Sequence, residues 1–387
     1  MTSVLNYPHL GIFIVAWFVT DLVVPILIHL AHRTRILDRP GGHKAQARPV
    51  PFFGGIGIFV GFAFAVCSTL RFESLSGFHP LVGMLFGGVV VTTLGLIDDH
   101  RPINAVTKLV VLFLTTLVLS AFGVQLALFP PILFDIPNLL VTLLWIVGVT
   151  SALNSIDNTD GVAPGLAAIA GSFIFVIAWG SSAEEAQRWL SYLAIGMVGS
   201  SLGMLRYNFP PARIYLGDNG SFFLGYMLAV MLVFAHYSTN PLKAVLVPGL
   251  ILSVPIFDIV LVTLLRIRDK DVGSIREAIL FCGRDHIAHL LMGLGLSKRQ
   301  TVFTIYGLGV IGGVAALLVW ASPSNAVTLA VAGMYATFIA AIGVILGRTR
   351  PFLVGAPSET EDEAPRPAPT APTLEWARRR DRRIAPR

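Results

Sequence analysis

Residues 81–100 read LVGMLFGGVVVTTLGLIDDH. An apolar run, 81–97, is closed by two adjacent carboxylates, Asp98 and Asp99. A run of this length is a helix able to cross roughly 30 Å of hydrocarbon. Carboxylates are costly near lipid, so acids kept at the end of such a helix point to function. Adjacent carboxylates also repel unless a cation lies between or beside them. The bland alternative is a helix C-terminus that simply meets water.

The same pattern recurs twice. Asn154-Ser155-Ile156-Asp157-Asn158-Thr159-Asp160-Gly161 follows the run 139–153, and Leu216-Gly217-Asp218-Asn219-Gly220 opens the run 220–238. Hard oxygen ligands of this kind suit Mg²⁺ and the phosphates it carries. The first expectation is a membrane enzyme that handles phosphates at one face of the bilayer.

Composition agrees with the membrane reading. The 387 residues are 55% hydrophobic and 13% charged, with a mean hydropathy of +0.75. A soluble domain carries about 25% charged residues. Apolar runs fall near 10–31, 53–70, 81–97, 104–122, 139–153, 162–180, 189–205, 220–238, 244–265, 302–321 and 326–347. The expected fold class is therefore all-α, a polytopic integral membrane protein with about eleven transmembrane helices, because open strands leave their backbone unsatisfied in lipid. The N-terminus lacks a basic n-region and a small-residue cleavage site, so the first apolar segment reads as a retained helix.

Lysine and arginine sort by side. Loops 32–52, 98–103, 154–161, 206–219 and 266–301, with Lys108 and the C-terminal end, hold 25 of the 28 basic residues. Arg71, Arg188 and Lys243 are the others. The positive-inside rule makes the rich side cytoplasmic, with the N-terminus outside and the C-terminus inside. All five aspartates then fall on the cytoplasmic side. The net charge of +6 follows this topology and argues for no nucleic-acid partner. Residues 1–350 read as one membrane-embedded domain. Residues 351–387, rich in proline and ending in an arginine cluster, read as a disordered tail that either touches anionic lipid or is merely solvated. Cys67 and Cys282 show no zinc spacing and no disulfide framework.

Each polar island supports a chemical and a plain reading. Lys108 either snorkels to the surface or faces a phosphate from within the bundle. Asn154, Asp157 and Asp160 are spaced i, i+3, i+6, which on a helix keeps them on one broad face. The alternative is an Asx-rich turn. Asp218 is placed as an N-cap or as a metal ligand beside a helix dipole, with Arg213 as a phosphate contact. In the loop 266–301, Arg284, His286 and His289 favour substrate binding. The two histidines alone are a weak transition-metal signal. Asp258, inside the ninth span, is a secondary candidate, and Asp21 carries little functional weight.

In order along the chain stand Asp38-Arg39-Pro40, Pro49-Val50-Pro51 with Gly54-Gly55, Asp98-Asp99 with Lys108, Asn154 with Asp157 and Asp160-Gly161, Asn208 through Gly217-Asp218, and the Arg284–His289 loop. On these motifs the chain resembles the polyprenyl-phosphate N-acetylhexosamine-1-phosphate transferases, whose superfamily includes the phospho-MurNAc-pentapeptide translocase. The resemblance covers the first span to about residue 301. It implies a multi-pass protein of the bacterial inner (plasma) membrane, with Mg²⁺ (or Mn²⁺) as cofactor, a UDP-sugar donor, undecaprenyl phosphate as acceptor and UMP as leaving group. The favoured reaction is transfer of GlcNAc-1-phosphate, which starts a lipid-linked cell-envelope glycan. Asp218 would be the metal ligand. Asp98, Asp99 and Lys108 would lie at the phosphates, with Asp157 and Asp160 also catalytic. Asn154, Asp157 and Asn208 would shape the nucleotide pocket, and the histidine loop would hold the donor. A homodimer is an expectation by family analogy alone.

Departures from the family pattern bear on the sugar. Asn158 replaces a usual glycine, Val162-Ala163-Pro164 replaces a usual leucine, Ala288 a usual histidine, and His43 a common arginine. They weigh against a MurNAc-pentapeptide donor, the alternative within the fold. The alternative outside it, a carboxylate-based transporter, expects acids near the bilayer midplane rather than at one face.

Overall fold

The computed structural model describes residues 8–38, 49–69, 78–130, 135–180, 185–234, 240–269 and 285–354. Arg39, Pro40, His43, Cys282, Arg284 and the tail from 355 onward lie outside the described residues. The described regular structure is helical: α1 (Pro8–Thr34), α2 (Gly54–Thr69), α3 (Phe78–His100), α4 (Ala105–Ala121), α5 (Ile136–Ile156), α6 (Val162–Gly180), α7 (Glu185–Asn208), α8 (Asp218–Phe234), α9 (Pro241–Ile251), α10 (Ser253–Arg268), α11 (Ile287–Gly293), α12 (Lys298–Ala321) and α13 (Asn325–Val354). One isolated bridge pairs Asp38 with Val50.

Six of these helices, α1, α3, α5, α6, α12 and α13, are long and apolar enough to cross a membrane, and the bent pair α9–α10 makes a seventh. Helices α2, α4 and α8 are apolar but shorter. The protein is thus a polytopic, all-helical membrane protein. Large apolar side chains cover its outer surface, as Leu10, Ile14, Phe18, Leu22, Ile26 and Leu30 do along α1. Thr92, Thr116 and Thr150, inside the helices, each donate to the carbonyl four residues back, which satisfies these hydroxyls away from water.

Helix α8 is the axis of the bundle. Residues Asn219 to Val233 are all buried, and a helix that is apolar all round belongs in an interior. It packs against α2, α3, α5, α6 and α7. The run 139–153, the shortest expected span, extends to the 21 residues of α5.

The run 244–265 is not one straight helix. It breaks between Ile251 and Ser253, and the two halves are bent by 78°. Pro255 explains the break. It lacks an N–H, and its ring clashes with the carbonyl four residues back, at Ile251, so the helix cannot run straight through that turn.

Candidate active site

The three polar islands meet at the N-terminus of α8. Asp99, at the end of α3, accepts from the backbone N–H of Asp218 (2.8 Å) and of Asn219 (3.1 Å), and from the Asn219 side chain (2.6 Å). It therefore does for α8 what an N-cap does, from another helix. A carboxylate there also meets the positive end of the helix dipole. Asp218 is thus not the cap of its own helix. Its carboxylate accepts from Asn154 Nδ2 at 2.9 Å and faces Lys108 Nζ at 3.5 Å. Asn154 also reaches Ser221 Oγ at 2.8 Å, one turn further along α8.

Close approach makes this junction. An ideal Cβ on Gly95 would lie 2.4 Å from Asn219 Cα, so only glycine lets α3 and α8 touch there. Gly217 adopts φ +75°, the left-handed turn that starts α8, and a Cβ on it would lie 2.3 Å from Phe52 O. The segment that enters α2, residues 51–55, runs beside the segment before α8: Tyr215 N–H donates to Pro51 O (2.7 Å), Gly54 N–H to Tyr215 O (3.0 Å) and Gly55 N–H to Leu216 O (2.9 Å). The Pro49–Gly55 motif is therefore a brace for the Asp218 loop. Burial, with Asp160 and Asp38 nearby, pushes the Tyr215 phenol up to about 12, so it is a neutral group in this brace.

Lys108 turns inward. Its ammonium contacts the Asp98 carboxylate and leans on the Phe222 ring at 5.8 Å. Asp98 in turn accepts from Ile103 N–H at 2.6 Å, closing the α3–α4 turn. Asn104 caps α4 by accepting from Val106 N–H at 2.8 Å. Lys108, one turn later, sits at the bundle's polar end and so reaches both Asp98 and Asp218.

The i, i+3, i+6 expectation for Asn154, Asp157 and Asp160 does not hold as one helical face. Helix α5 stops at Ile156, Asp157 is its C-cap, and Gly161 turns at φ +81°. Asp160 consequently points elsewhere and accepts from Ala212 N–H at 3.2 Å. The Asx-rich turn wins because three non-helical residues separate Asp157 from the glycine. Asn208 is 2% exposed and spans two loops, accepting from Gly161 N–H and donating to Ile214 O, both at 2.9 Å. Asp160 and Asn208 thus shape the site by holding its loops together. Tyr306 of α12 adds a third tie, donating to Gly161 O at 2.5 Å. The Arg213 side chain is exposed at the rim.

The Asp157 carboxyl is held above the ordinary carboxylate range. Burial is the main cause, followed by the charges of Asp218, Asp99 and Asp160. The site is therefore rich in hard oxygen, with Lys108 as the ammonium set among its carboxylates. Among the described residues no group of three or more His, Cys, Asp or Glu side chains forms a ready metal cage. That donor set fits Mg²⁺, which is usually held by one or two carboxylates plus substrate phosphates. Asp218 and Asp157 would supply the protein oxygens.

The histidine strip occupies the same end of the bundle. Arg299, at the start of α12, donates to Pro210 O at 3.1 Å in the loop that leads to Asp218, and α11 packs on α12. His286 hydrogen-bonds Asp258 rather than the carboxylate cluster. His289, one turn later, is half-buried. Ser221 and Asn219 escape sequence reasoning. Ser221 follows Asp218 by three residues on a helix, and that spacing is the available signal.

Comparison with known proteins agrees with this geometry. A family profile described as glycosyl transferase family 4 matches residues 81–236, which contain every carboxylate of the cluster. A probable undecaprenyl-phosphate N-acetylglucosaminyl 1-phosphate transferase of Bacillus subtilis is 31% identical over 312 residues, covering 79% of this chain and 83% of the relative. A decaprenyl-phosphate N-acetylglucosaminephosphotransferase of Mycobacterium leprae is 29% identical over 363 residues, covering 87% and 89%. A phospho-N-acetylmuramoyl-pentapeptide-transferase of Levilactobacillus brevis is 29% identical over 259 residues, covering 60% and 76%. The chain belongs to glycosyl transferase family 4, among the polyprenyl-phosphate N-acetylglucosamine 1-phosphate transferases and their pentapeptide-transferring relatives.

Proposed function

We propose that the protein transfers N-acetylglucosamine 1-phosphate from UDP-N-acetylglucosamine to undecaprenyl phosphate, releasing UMP and starting a lipid-linked envelope glycan. The observation that carries this reading is the state of Asp218. Asp99 caps α8 in its place, which leaves the Asp218 carboxylate to Asn154 and Lys108 at the polar end of an apolar bundle. The broader coverage of the two N-acetylglucosamine-transferring relatives favours that donor over the pentapeptide donor.

In this mechanism an oxygen of the lipid phosphate attacks the donor β-phosphorus, and the bond to the UMP oxygen breaks. A phosphate monoester is mostly ionised near neutral pH, so deprotonation by Asp98 is not required. Lys108 neutralises phosphate oxygens, Asn154 positions the Asp218 carboxylate beside them, and Asp160 and Asn208 hold the two loops around them. Bound Mg²⁺, held by Asp218 and Asp157, would supply charge neutralisation on the diphosphate. Most of the catalysis is positioning and electrostatics.

The topology proposed is eleven spans with the N-terminus outside, the C-terminus inside and the carboxylates facing the cytoplasm across a bacterial plasma membrane. It is supported by the charge count and by the eleven helical units among the described residues that remain when α9–α10 counts as one and the seven-residue α11 is set aside. A transporter reading is disfavoured because the acids gather at helix ends.

The test is a donor screen in nanodiscs with undecaprenyl phosphate and Mg²⁺. UDP-GlcNAc should yield UMP and a lipid-linked sugar phosphate. Product from UDP-MurNAc-pentapeptide alone would move the protein to the other branch. Solute uptake into liposomes with no UMP would overturn the transferase reading.

A further inference from the structure

Asp258 is a carboxylate inside the apolar helix α10 with 0% exposure. A buried carboxylate needs bonded partners to be tolerable. Both of its oxygens have one. Oδ2 meets His286 Nδ1 at 2.8 Å, and Oδ1 accepts from the Ile287 N–H at 2.7 Å. Two turns further along the same helix, Arg266 forms a fork with Asp285, Nε to Oδ2 at 2.8 Å and Nη2 to Oδ1 at 2.6 Å. Arg266 is 3% exposed and Asp285 4%. Three consecutive residues, Asp285, His286 and Ile287, are thus tied to one face of α10.

We propose that Asp258 is a positioning residue for the transfer reaction: with the Arg266–Asp285 fork it clamps His286 and sets which ring nitrogen is left for the donor's phosphates. This rests on the reading under Proposed function. An ionised carboxylate only accepts, so Nδ1 of His286 carries the proton. Nε2 is then the ring atom not committed to Asp258, and because phosphate oxygens only accept, it meets them as the second N–H of the imidazolium whose charge the Asp258 carboxylate balances. The partner of an orienting histidine acts by fixing tautomer and ring angle, the role that second partners of functional histidines play elsewhere. Arg266 and Asp285 fix the backbone one residue earlier, so the ring has little freedom to swing. Sequence alone leaves Asp258 and His286 28 residues apart.

The test uses full-length protein in nanodiscs, labelled with ¹⁵N-histidine. Wild-type protein should show a hydrogen-bonded Nδ1–H resonance that vanishes in His286→Gln and shifts in Asp258→Asn. Kinetics follow UMP release with UDP-GlcNAc varied at saturating undecaprenyl phosphate. Asp258→Asn should raise the donor KM about 10- to 100-fold, the range seen when such orienting partners are removed, with kcat and Tm near wild type. In a His286→Gln background the same change should add less than twofold, because residues acting as one unit are not additive. Multiplicative effects, an equal loss of kcat and of donor affinity with a fallen Tm, or a wild-type ring with no proton on Nδ1 would overturn the proposal. The ring state is read in wild type, so a misfolded variant does not shelter it. Absence of UMP from every UDP-sugar would refute the proposed function instead, and the spectra would still decide the clamp.

Discussion

Replacing Gly95 by alanine tests the contact on which the placement of Asp218 depends. The ideal Cβ lies 2.4 Å from Asn219 Cα, Asn219 N and Asp218 C, while ordinary contact begins at 3.4 Å, so the N-terminus of α8 must retreat by about 1 Å. All three neighbours are backbone, so no side chain can swing aside. A misplacement of 1 Å costs about 10²-fold in rate where catalysis is positioning. Overpacking costs about 1–3 kcal/mol, against about 1 kcal/mol gained from helix propensity, so the protein should still fold. The assay is UMP release in nanodiscs, with Tm read by intrinsic fluorescence. Gly148→Ala is the control, since nothing lies within 4 Å of a Cβ there. It should keep its rate and be equally or more stable. A Gly95→Ala protein within twofold of the wild-type rate would refute the argument that this junction sets the site.

Three other outcomes follow from the same geometry. Asp99→Ala strips three hydrogen bonds from the start of α8; two orphaned backbone donors at about 1–3 kcal/mol each should lower Tm markedly, which thermal unfolding reads directly. Asp218→Asn should abolish UMP release and also the rise in Tm that Mg²⁺ gives the wild type, so full activity in that variant sinks the metal assignment. Asp157, whose pKa is raised, binds its proton more tightly folded than unfolded; without Mg²⁺ its contribution to stability should therefore be fully present below about pH 3.9 and fall as pH rises through its folded value. The slope of Tm against pH should flatten in Asp157→Asn, and an unchanged slope would contradict the assignment.

Several features were legible in the chain because they depend on composition and period. Apolar length near 81–97 and its neighbours marks helices whatever packs beside them, and the Asp98-Asp99, Asn154–Gly161 and Gly217-Asp218 islands stand out because charge is rare in such segments. The Asn154–Asp160 spacing misled, since a period of 3.6 has meaning only while the helix lasts, and α5 ends at Ile156. The 244–265 run misled for a related reason: hydropathy does not register the missing N–H of Pro255.

Residue types and order, then, determine that this is a helical membrane protein with an oxygen-rich polar end, because lipid leaves few other ways to satisfy a backbone. Which carboxylate does which task was decided only by tertiary structure. Asp99 and Asp218 are chemically the same group. One caps α8 and the other faces Lys108 because Gly95 and Gly217 let three chain segments approach within backbone contact. The partnership of Asp258 with His286 has the same origin, since it exists only where α10 and the loop before α11 are folded together.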